Sequence, residues 1–191
     1  CIDRLPKGQS IVFPPSHCAG CGQKLQFSDM VPVFSYLRLR GRCRYCGIPI
    51  PRRIPVVEAA AGIMFTLLYL KYGIGLELLI VLFYLSIFLL IFVIDLETMY
   101  VLSAIVYPAM AAALMFAIFW PGITPLELGG VPILNKLASS LAGGLLGLIA
   151  MSVPYLIARW VYQREGMGKG DIQLGVLAGL ATGYPFAMVA L

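Results

Sequence analysis

Long apolar stretches separated by short polar gaps make up most of the chain after Val56, whereas residues 1–54 are polar and rich in turn-forming residues. A helix needs about 20 apolar residues to cross the hydrocarbon core of a bilayer, and five stretches come close to that length. They cover residues 56–72, 76–94, 99–120, 137–162 and 172–191. Because open, irregular backbone is not tolerated against lipid, each stretch predicts a membrane-spanning helix.

The predicted fold is therefore an all-α polytopic membrane protein, a transmembrane helix bundle with a small module at its N-terminal end. We place the module at residues 1–54 and the transmembrane domain, with about five spans, at residues 55–191. Composition agrees with this division. The chain is 60% hydrophobic and 12% charged, whereas soluble domains are about half apolar and about a quarter charged.

Charge is distributed as unevenly as hydropathy. Residues 1–53 carry nine basic and two acidic side chains, a net charge of +7, and the remainder carries a net charge of −2. Basic segments beside membrane spans stay in the cytoplasm, so we expect a cytoplasmic module that contacts anionic lipid headgroups of the bilayer. Nucleic acid is a poorer explanation, because few aromatic residues are interleaved with the basic ones. Five alternating spans then put Asp95 and Asp171 at cytoplasmic helix ends, and Arg159, Arg164 and Lys169 agree with that orientation.

Four cysteines lie in two C-x-x-C pairs, Cys18 with Cys21 and Cys43 with Cys46, separated by 21 residues. This spacing is typical of a structural zinc ribbon, in which four thiolates close a tetrahedron around the metal. A glycine follows each pair and suits the tight turn of such a site. A redox-active pair is the alternative, but no βαβ pattern accompanies these cysteines.

Two carboxylates hold positions of chemical interest. Asp95 ends a long apolar run, and Asp171 opens the last predicted span behind Gly168 and Gly170. Each alone could be an interfacial cap. Two on one side of the membrane also fit peptide hydrolysis, in which one carboxylate activates water while the other polarises the scissile carbonyl. The two glycines, lacking Cβ atoms, would let a substrate backbone approach the acid.

Glu58 opens the first predicted span. A carboxylate there stabilises the helix N-terminus by roughly 0.3–1 kcal/mol, so a helix cap and a functional role both remain open.

Taken in order along nearly the whole chain, these residues resemble the bacterial prepilin peptidases, G-x-G-D intramembrane aspartic peptidases of type IV pili and type II secretion. The segments that carry the resemblance are Arg4-Leu-Pro, Ser16-His-Cys, both C-x-x-C pairs, residues 32–43, residues 52–58, Ile94-Asp95 and Gly168-Lys-Gly-Asp171.

The resemblance implies a bifunctional enzyme. It cleaves the basic leader of prepilins and pseudopilins after a glycine, on the cytoplasmic side of the bacterial inner membrane. It then methylates the new N-terminal residue with S-adenosylmethionine. Asp95 and Asp171 match the family's catalytic aspartates, and the four cysteines match its zinc ligands. Glu58 is our candidate for binding the methyl donor.

The chain departs from the family pattern in three ways. We expect further apolar sequence before Arg4 and after the fifth span. Val101 and Leu102 stand where Ile-Pro is usual, and Gln173 replaces a common lysine. The rival hypotheses are a zinc-ribbon membrane adaptor, a transporter that uses the two carboxylates, and a family member that cleaves without methylating.

Overall fold

The computed structural model describes residues 13, 16–18, 20–120, 132–162 and 168–190 of the 191-residue chain. Within these ranges the regular structure is helical and no residue belongs to a β-strand, which confirms the all-α prediction. A short 3₁₀ turn covers Phe27–Asp29. The helices are α1 (Phe34–Arg38), α2 (Arg53–Tyr72), α3 (Leu76–Thr98), α4 (Ser103–Phe119), α5 (Pro132–Tyr162), α6 (Lys169–Thr182) and α7 (Ala187–Ala190).

The chain divides into two compact units, Cys1–Leu78 and Leu79–Leu191. The first contains the 3₁₀ turn, α1 and α2. The second contains almost all of α3, whose first turn holds the boundary, and α4 to α7.

Three helices, α2, α3 and α5, are long and apolar enough to cross a membrane, and α4 is a shorter apolar helix of 17 residues. Large apolar side chains are exposed along them, including Leu70 of α2, Leu79 of α3 and Leu156 of α5. Apolar surface on this scale is typical of lipid-facing helices rather than of a protein in water. The structure therefore agrees with the predicted polytopic membrane protein.

The last predicted span, residues 172–191, is not one continuous helix, and in this respect the prediction was wrong. α6 ends at Thr182, and Gly183 has a positive φ of 68° that ends the helix. The N–H of Tyr184 donates to the carbonyl oxygen of Ser139 at 3.0 Å, and Pro185 follows. The third predicted span is shortened to α4, because the positive φ of Met99 ends α3 and α4 starts only at Ser103. Residues 121–131, which lie between the third and fourth predicted spans, and Arg164 lie outside the described residues.

α6 is held by a very close approach to α5. A Cβ atom added to Gly143 of α5 would overlap the backbone of Gly179 of α6. A Cβ atom added to Gly147 would overlap the backbone of Gly175 in the same way. Small residues permit this kind of crossing between membrane helices. The buried hydroxyl of Ser140 adds a hydrogen bond, donating to the carbonyl oxygen of Leu180 at 2.7 Å.

The core of the second unit lies where α3, α4 and α6 meet. Its buried side chains are Ile91, Val106, Ala109, Ala113, Leu177 and Leu180. Ile91 lies one turn before Asp95, so this packing fixes the end of α3 that carries the carboxylate.

Candidate active site and metal site

Asp95 and Asp171 line one cavity of about 530 Å³ in the second unit, which we call the aspartate cavity. Asp95 lies in the last turn of α3, and Asp171 lies in the first turn of α6. Both are half-buried. Apolar side chains that include Phe88, Met151 and Leu174 form much of the wall. Two carboxylates 76 positions apart in the sequence therefore face one partly apolar cavity.

Local backbone structure explains the position of each carboxylate. The N–H of Met99 donates to the carbonyl oxygen of Asp95 at 2.7 Å, and the chain leaves the helix at that point. At the start of α6, Asp171 Oδ2 accepts a hydrogen bond from the N–H of Gly168 at 3.1 Å. The N–H of Asp171 in turn donates to the carbonyl oxygen of Gly168 at 3.1 Å. Asp171 is thus a helix cap and also lines the cavity, so the two interpretations of this residue are compatible.

The two glycines before Asp171 have different surroundings. A Cβ atom at Gly170 would lie 2.5 Å from Cβ and 2.8 Å from Cγ2 of Val101. Packing against Val101 alone is therefore sufficient to require glycine at position 170. A Cβ atom at Gly168 would meet nothing closer than 3.7 Å. The approach of a substrate backbone to these glycines stays a prediction.

Gln173 connects α6 to α4. Its Oε1 accepts a hydrogen bond from the hydroxyl of Ser103 at 3.0 Å, and its Nε2 donates to the hydroxyl of Tyr107 at 3.2 Å. The departure from the usual lysine therefore comes with two polar partners that hold the helix carrying Asp171.

The four cysteines form two turns of the same design in the first unit. The N–H of Cys18 donates to the carbonyl of Gln23, and the N–H of Cys43 donates to the carbonyl of Ile48, both at 2.9 Å. The glycine after each pair, with a φ of +69° in both turns, donates back to the carbonyl of the first cysteine. Each turn thus presents two sulfurs from one tight loop, as the spacing predicted.

The sulfur positions fit a tetrahedral metal ion. All four Sγ atoms lie within 4.8 Å of one another, and those of Cys18 and Cys46 are 3.7 Å apart. A zinc ion about 2.3 Å from each sulfur requires an edge of about 3.8 Å between sulfurs. The described residues place no other group of His, Cys, Asp and Glu side chains in such a cluster.

The thiols of this cluster differ in acidity. Backbone hydrogen bonds from Cys21 and Gly20 lower the pKa of Cys18 to about 6. A backbone hydrogen bond from Ile48 acts in the same direction at Cys46, but desolvation and the three other sulfurs outweigh it and raise the pKa of Cys46 to about 12. Four thiolates repel one another at this distance, and a divalent cation relieves that repulsion.

Glu58 lies in the second turn of α2, which begins at Arg53 and has no acidic residue in its first turn, so the helix-cap interpretation is wrong. Glu58 Oε2 accepts a hydrogen bond from the N–H of Val33 at 2.8 Å. Val33 has a φ of 59°, a strained conformation for a β-branched residue. Sequence reasoning left this contact out because the two residues are 25 positions apart.

Asp29 is a residue that sequence reasoning missed. Its Oδ1 pairs with the guanidinium of Arg44, which lies between Cys43 and Cys46. Arg44 also donates to Gln26 Oε1 at 3.1 Å. The signal available in the sequence was weak. Residues 1–53 contain nine basic residues and only two acidic ones, of which Asp29 is one.

Helices suited to a bilayer, with Asp95 near the end of one of them and Asp171 at the start of the shorter α6, define a polytopic membrane protein with a candidate carboxylate active site. Residues 1–72 match the Bacterial Peptidase A24 N-terminal domain, and residues 82–191 match the Type IV leader peptidase family. The chain belongs to the Type IV leader peptidase family, which confirms the resemblance found from the sequence.

Curated relatives extend this match. The chain is 32% identical to a prepilin leader peptidase/N-methyltransferase of Myxococcus xanthus, over 93% of this chain and 50% of the relative. It is 31% identical to the protein of that name from Klebsiella pneumoniae, over 96% of this chain and 78% of the relative. The chain thus spans about half the length of the first relative. No solved structure matches the chain.

Proposed function

We propose that this chain carries the catalytic centre of a membrane aspartic endopeptidase that removes the leader of type IV prepilins and pseudopilins after a glycine. The observation that carries the proposal is that Asp95 and Asp171, from two different helix ends, line one cavity. The names of the relatives in Myxococcus xanthus and Klebsiella pneumoniae support the same activity.

In this mechanism the two carboxylates share one proton. The ionised member takes a proton from a water molecule, whose oxygen attacks the carbonyl carbon of the scissile peptide. The protonated member donates a hydrogen bond to the carbonyl oxygen, where negative charge develops. When the C–N bond breaks, the leaving nitrogen accepts a proton and becomes the amine of the new N-terminus.

The second activity in the proposal is methylation of that amine by S-adenosylmethionine. When bound, S-adenosylmethionine would supply an activated methyl group to the amine nitrogen. The N-methyltransferase part of the relatives' names supports this step.

The proposed metal is zinc, bound by Cys18, Cys21, Cys43 and Cys46. Four sulfur ligands leave no open coordination position for a water molecule, so the ion stabilises the fold and takes no part in hydrolysis. We further place residues 1–54 in the cytoplasm and residues 55–191 in the bacterial inner membrane, with both aspartates on the cytoplasmic side. The net charge of +7 over residues 1–53 supports this orientation.

The test is cleavage of a prepilin by the full-length protein in detergent. We expect Asp95→Asn and Asp171→Asn each to abolish cleavage while the protein stays folded. Glu97→Gln is the matched control, since Glu97 is an exposed acid two residues after Asp95 that does not line the cavity. It should cleave at the wild-type rate. Cleavage by either aspartate variant would refute the paired mechanism.

A further inference from the structure

The short helix α1 of the first unit has large apolar side chains on its outer side. Phe34 and Leu37 are three positions apart and therefore lie on the same side of the helix. They are 62% and 68% exposed. Ser35 and Tyr36, on the other side of α1, line a cavity of the first unit. The helix thus packs one side against its own unit and leaves an apolar side uncovered by the described residues.

The surroundings of α1 continue this pattern. Phe27, in the 3₁₀ turn that packs against α1, is 84% exposed. We call Phe27, Phe34 and Leu37 together the apolar outer face. The exposed Arg38 follows Leu37 directly, and the exposed Arg40 lies two residues further on. Large apolar side chains bordered by basic ones are typical of a helix that lies in a membrane interface.

A hydrogen bond to α2 sets the depth of this face. α2 has 20 residues and, at 1.5 Å per residue, is about 30 Å long, the thickness of the hydrocarbon core. Because its whole length is needed to span, Arg53 at its start lies at the edge of that core. Glu58, five residues further along, lies about 7.5 Å deeper. Its Oε2 holds the N–H of Val33, the residue before Phe34, at 2.8 Å.

The start of α1 therefore lies beside the second turn of a membrane span. Interfacial helices bury their apolar face about 5–10 Å into the boundary between headgroups and acyl chains, which matches the depth of Glu58. Arg52 and Arg53 are exposed at the start of α2 and lie at the level of the headgroups, where basic side chains attract anionic lipids. Depth and charge both favour lipid, rather than water or another protein, as the partner of the apolar outer face.

We infer that α1 is an interfacial anchor whose apolar outer face lies in the bilayer. The first unit is then attached to the membrane at two places, by α2 as a span and by α1 as a helix lying at the surface. The contact is apolar and adds to any attraction between basic side chains and headgroups. It fixes the cysteine module against the bilayer instead of leaving it free to turn about the start of α2. The inference does not depend on either proposed enzymatic activity.

The test introduces single tryptophans into the full-length protein in nanodiscs and measures quenching of their fluorescence by lipids with brominated acyl chains. The two native tryptophans, Trp120 and Trp160, are replaced by phenylalanine. Phe34→Trp and Leu37→Trp are the test variants. Ile63→Trp is the matched control, because Ile63 lies near the middle of α2 and, like Phe34, is 62% exposed. If the phenylalanine background does not fold, the same variants are made in the wild type and its quenching is subtracted.

The position of the bromine distinguishes the two depths. We expect bromine near the headgroup end of the chain to quench Phe34→Trp and Leu37→Trp more strongly than Ile63→Trp. Bromine near the terminal methyl group should quench Ile63→Trp more strongly than either. Unchanged metal content shows that the cysteine turns remain intact in each variant.

Two results would overturn the inference. Quenching of both test variants by iodide in the water, and by neither lipid, would mean that the apolar outer face lies in water. Blue-shifted emission that no quencher reduces would mean that another part of the protein, or a protein partner, covers the face. Neither result bears on cleavage of a prepilin, so the proposed function would stand.

Discussion

Replacement of Gly170 by alanine tests whether packing or substrate approach requires glycine before Asp171. The new Cβ atom would lie 2.5 Å from Cβ of Val101, whereas carbon atoms in favourable contact are about 3.5–4.0 Å apart. The start of α6 must therefore move away from Val101 by about 1 Å. Overpacking of this kind costs about 1–3 kcal/mol.

The movement acts on catalysis because Asp171 follows directly after Gly170. A misplacement of about 1 Å in a catalytic group costs about 100-fold in rate. We therefore expect Gly170→Ala to cleave a prepilin about 100-fold more slowly, with a modest fall in melting temperature. Gly168→Ala, whose Cβ atom would meet nothing closer than 3.7 Å, should keep most of its activity.

A double variant that moves the glycine from position 170 to position 101 tests the same contact from its other side. The double variant Val101→Gly with Gly170→Ala restores the missing space and should recover part of the lost rate, because contacting residues are energetically coupled. If Gly168→Ala is the more damaging substitution, or if Val101→Gly rescues nothing, the packing explanation is wrong. Substrate approach to the glycines would then be the better account.

Two further predictions follow from single contacts, and a third follows from the charge of the N-terminal module. Ser140→Ala removes the hydrogen bond to the carbonyl of Leu180 and should lower stability in detergent by about 0.6 kcal/mol, whereas Ser140→Thr retains a hydroxyl as a control. Glu58→Ala leaves the N–H of Val33 without its acceptor and should lower the free energy of unfolding by about 1–3 kcal/mol, with partial recovery in Glu58→Gln. The basic N-terminal module should make the full-length protein in nanodiscs bind added anionic vesicles more tightly than neutral ones, and less so at high salt.

Each of these predictions has a contrary outcome. Equal stability of the alanine and threonine variants at position 140 would mean that glycine packing alone holds α5 and α6 together. Equal effects of Glu58→Ala and Glu58→Gln would mean that the carboxylate charge, not the hydrogen bond to Val33, is what matters. Binding to vesicles that ignores both lipid charge and salt would remove the lipid contact from the proposal.

Hydropathy predicted α2, α3 and α5 well because a helix against lipid must be apolar over nearly its whole length. Hydropathy predicted the end of the chain poorly, because an apolar composition does not show where a helix is broken. The residues from 172 onward are as apolar as a span, but Gly183 and Pro185 break the helix. The short α6 is stabilised by the glycine crossing with α5, and a hydropathy average does not register a contact between two glycines.

The aspartate pair and the ion pair of Asp29 differ in how far the sequence revealed them. Asp95 and Asp171 could be paired because alternating spans bring both to one side, and the structure has both in one cavity. Asp29 could not be found in this way. Its burial depends on Arg44, 15 positions later, and a single acid in a basic segment otherwise predicts only an exposed side chain.

Arg44 links the metal site to Asp29, because it lies within the second cysteine turn and pairs with that carboxylate. A metal ion that fixes Cys43 and Cys46 fixes the backbone between them, and with it the guanidinium that neutralises one oxygen of Asp29. Removal of the metal by a chelator should therefore lower the melting temperature of the full-length protein in detergent at least as much as Asp29→Asn does, and readdition of zinc should restore it. If the metal-free protein melts at the same temperature as the metal-bound protein, the cysteine cluster does not stabilise the fold.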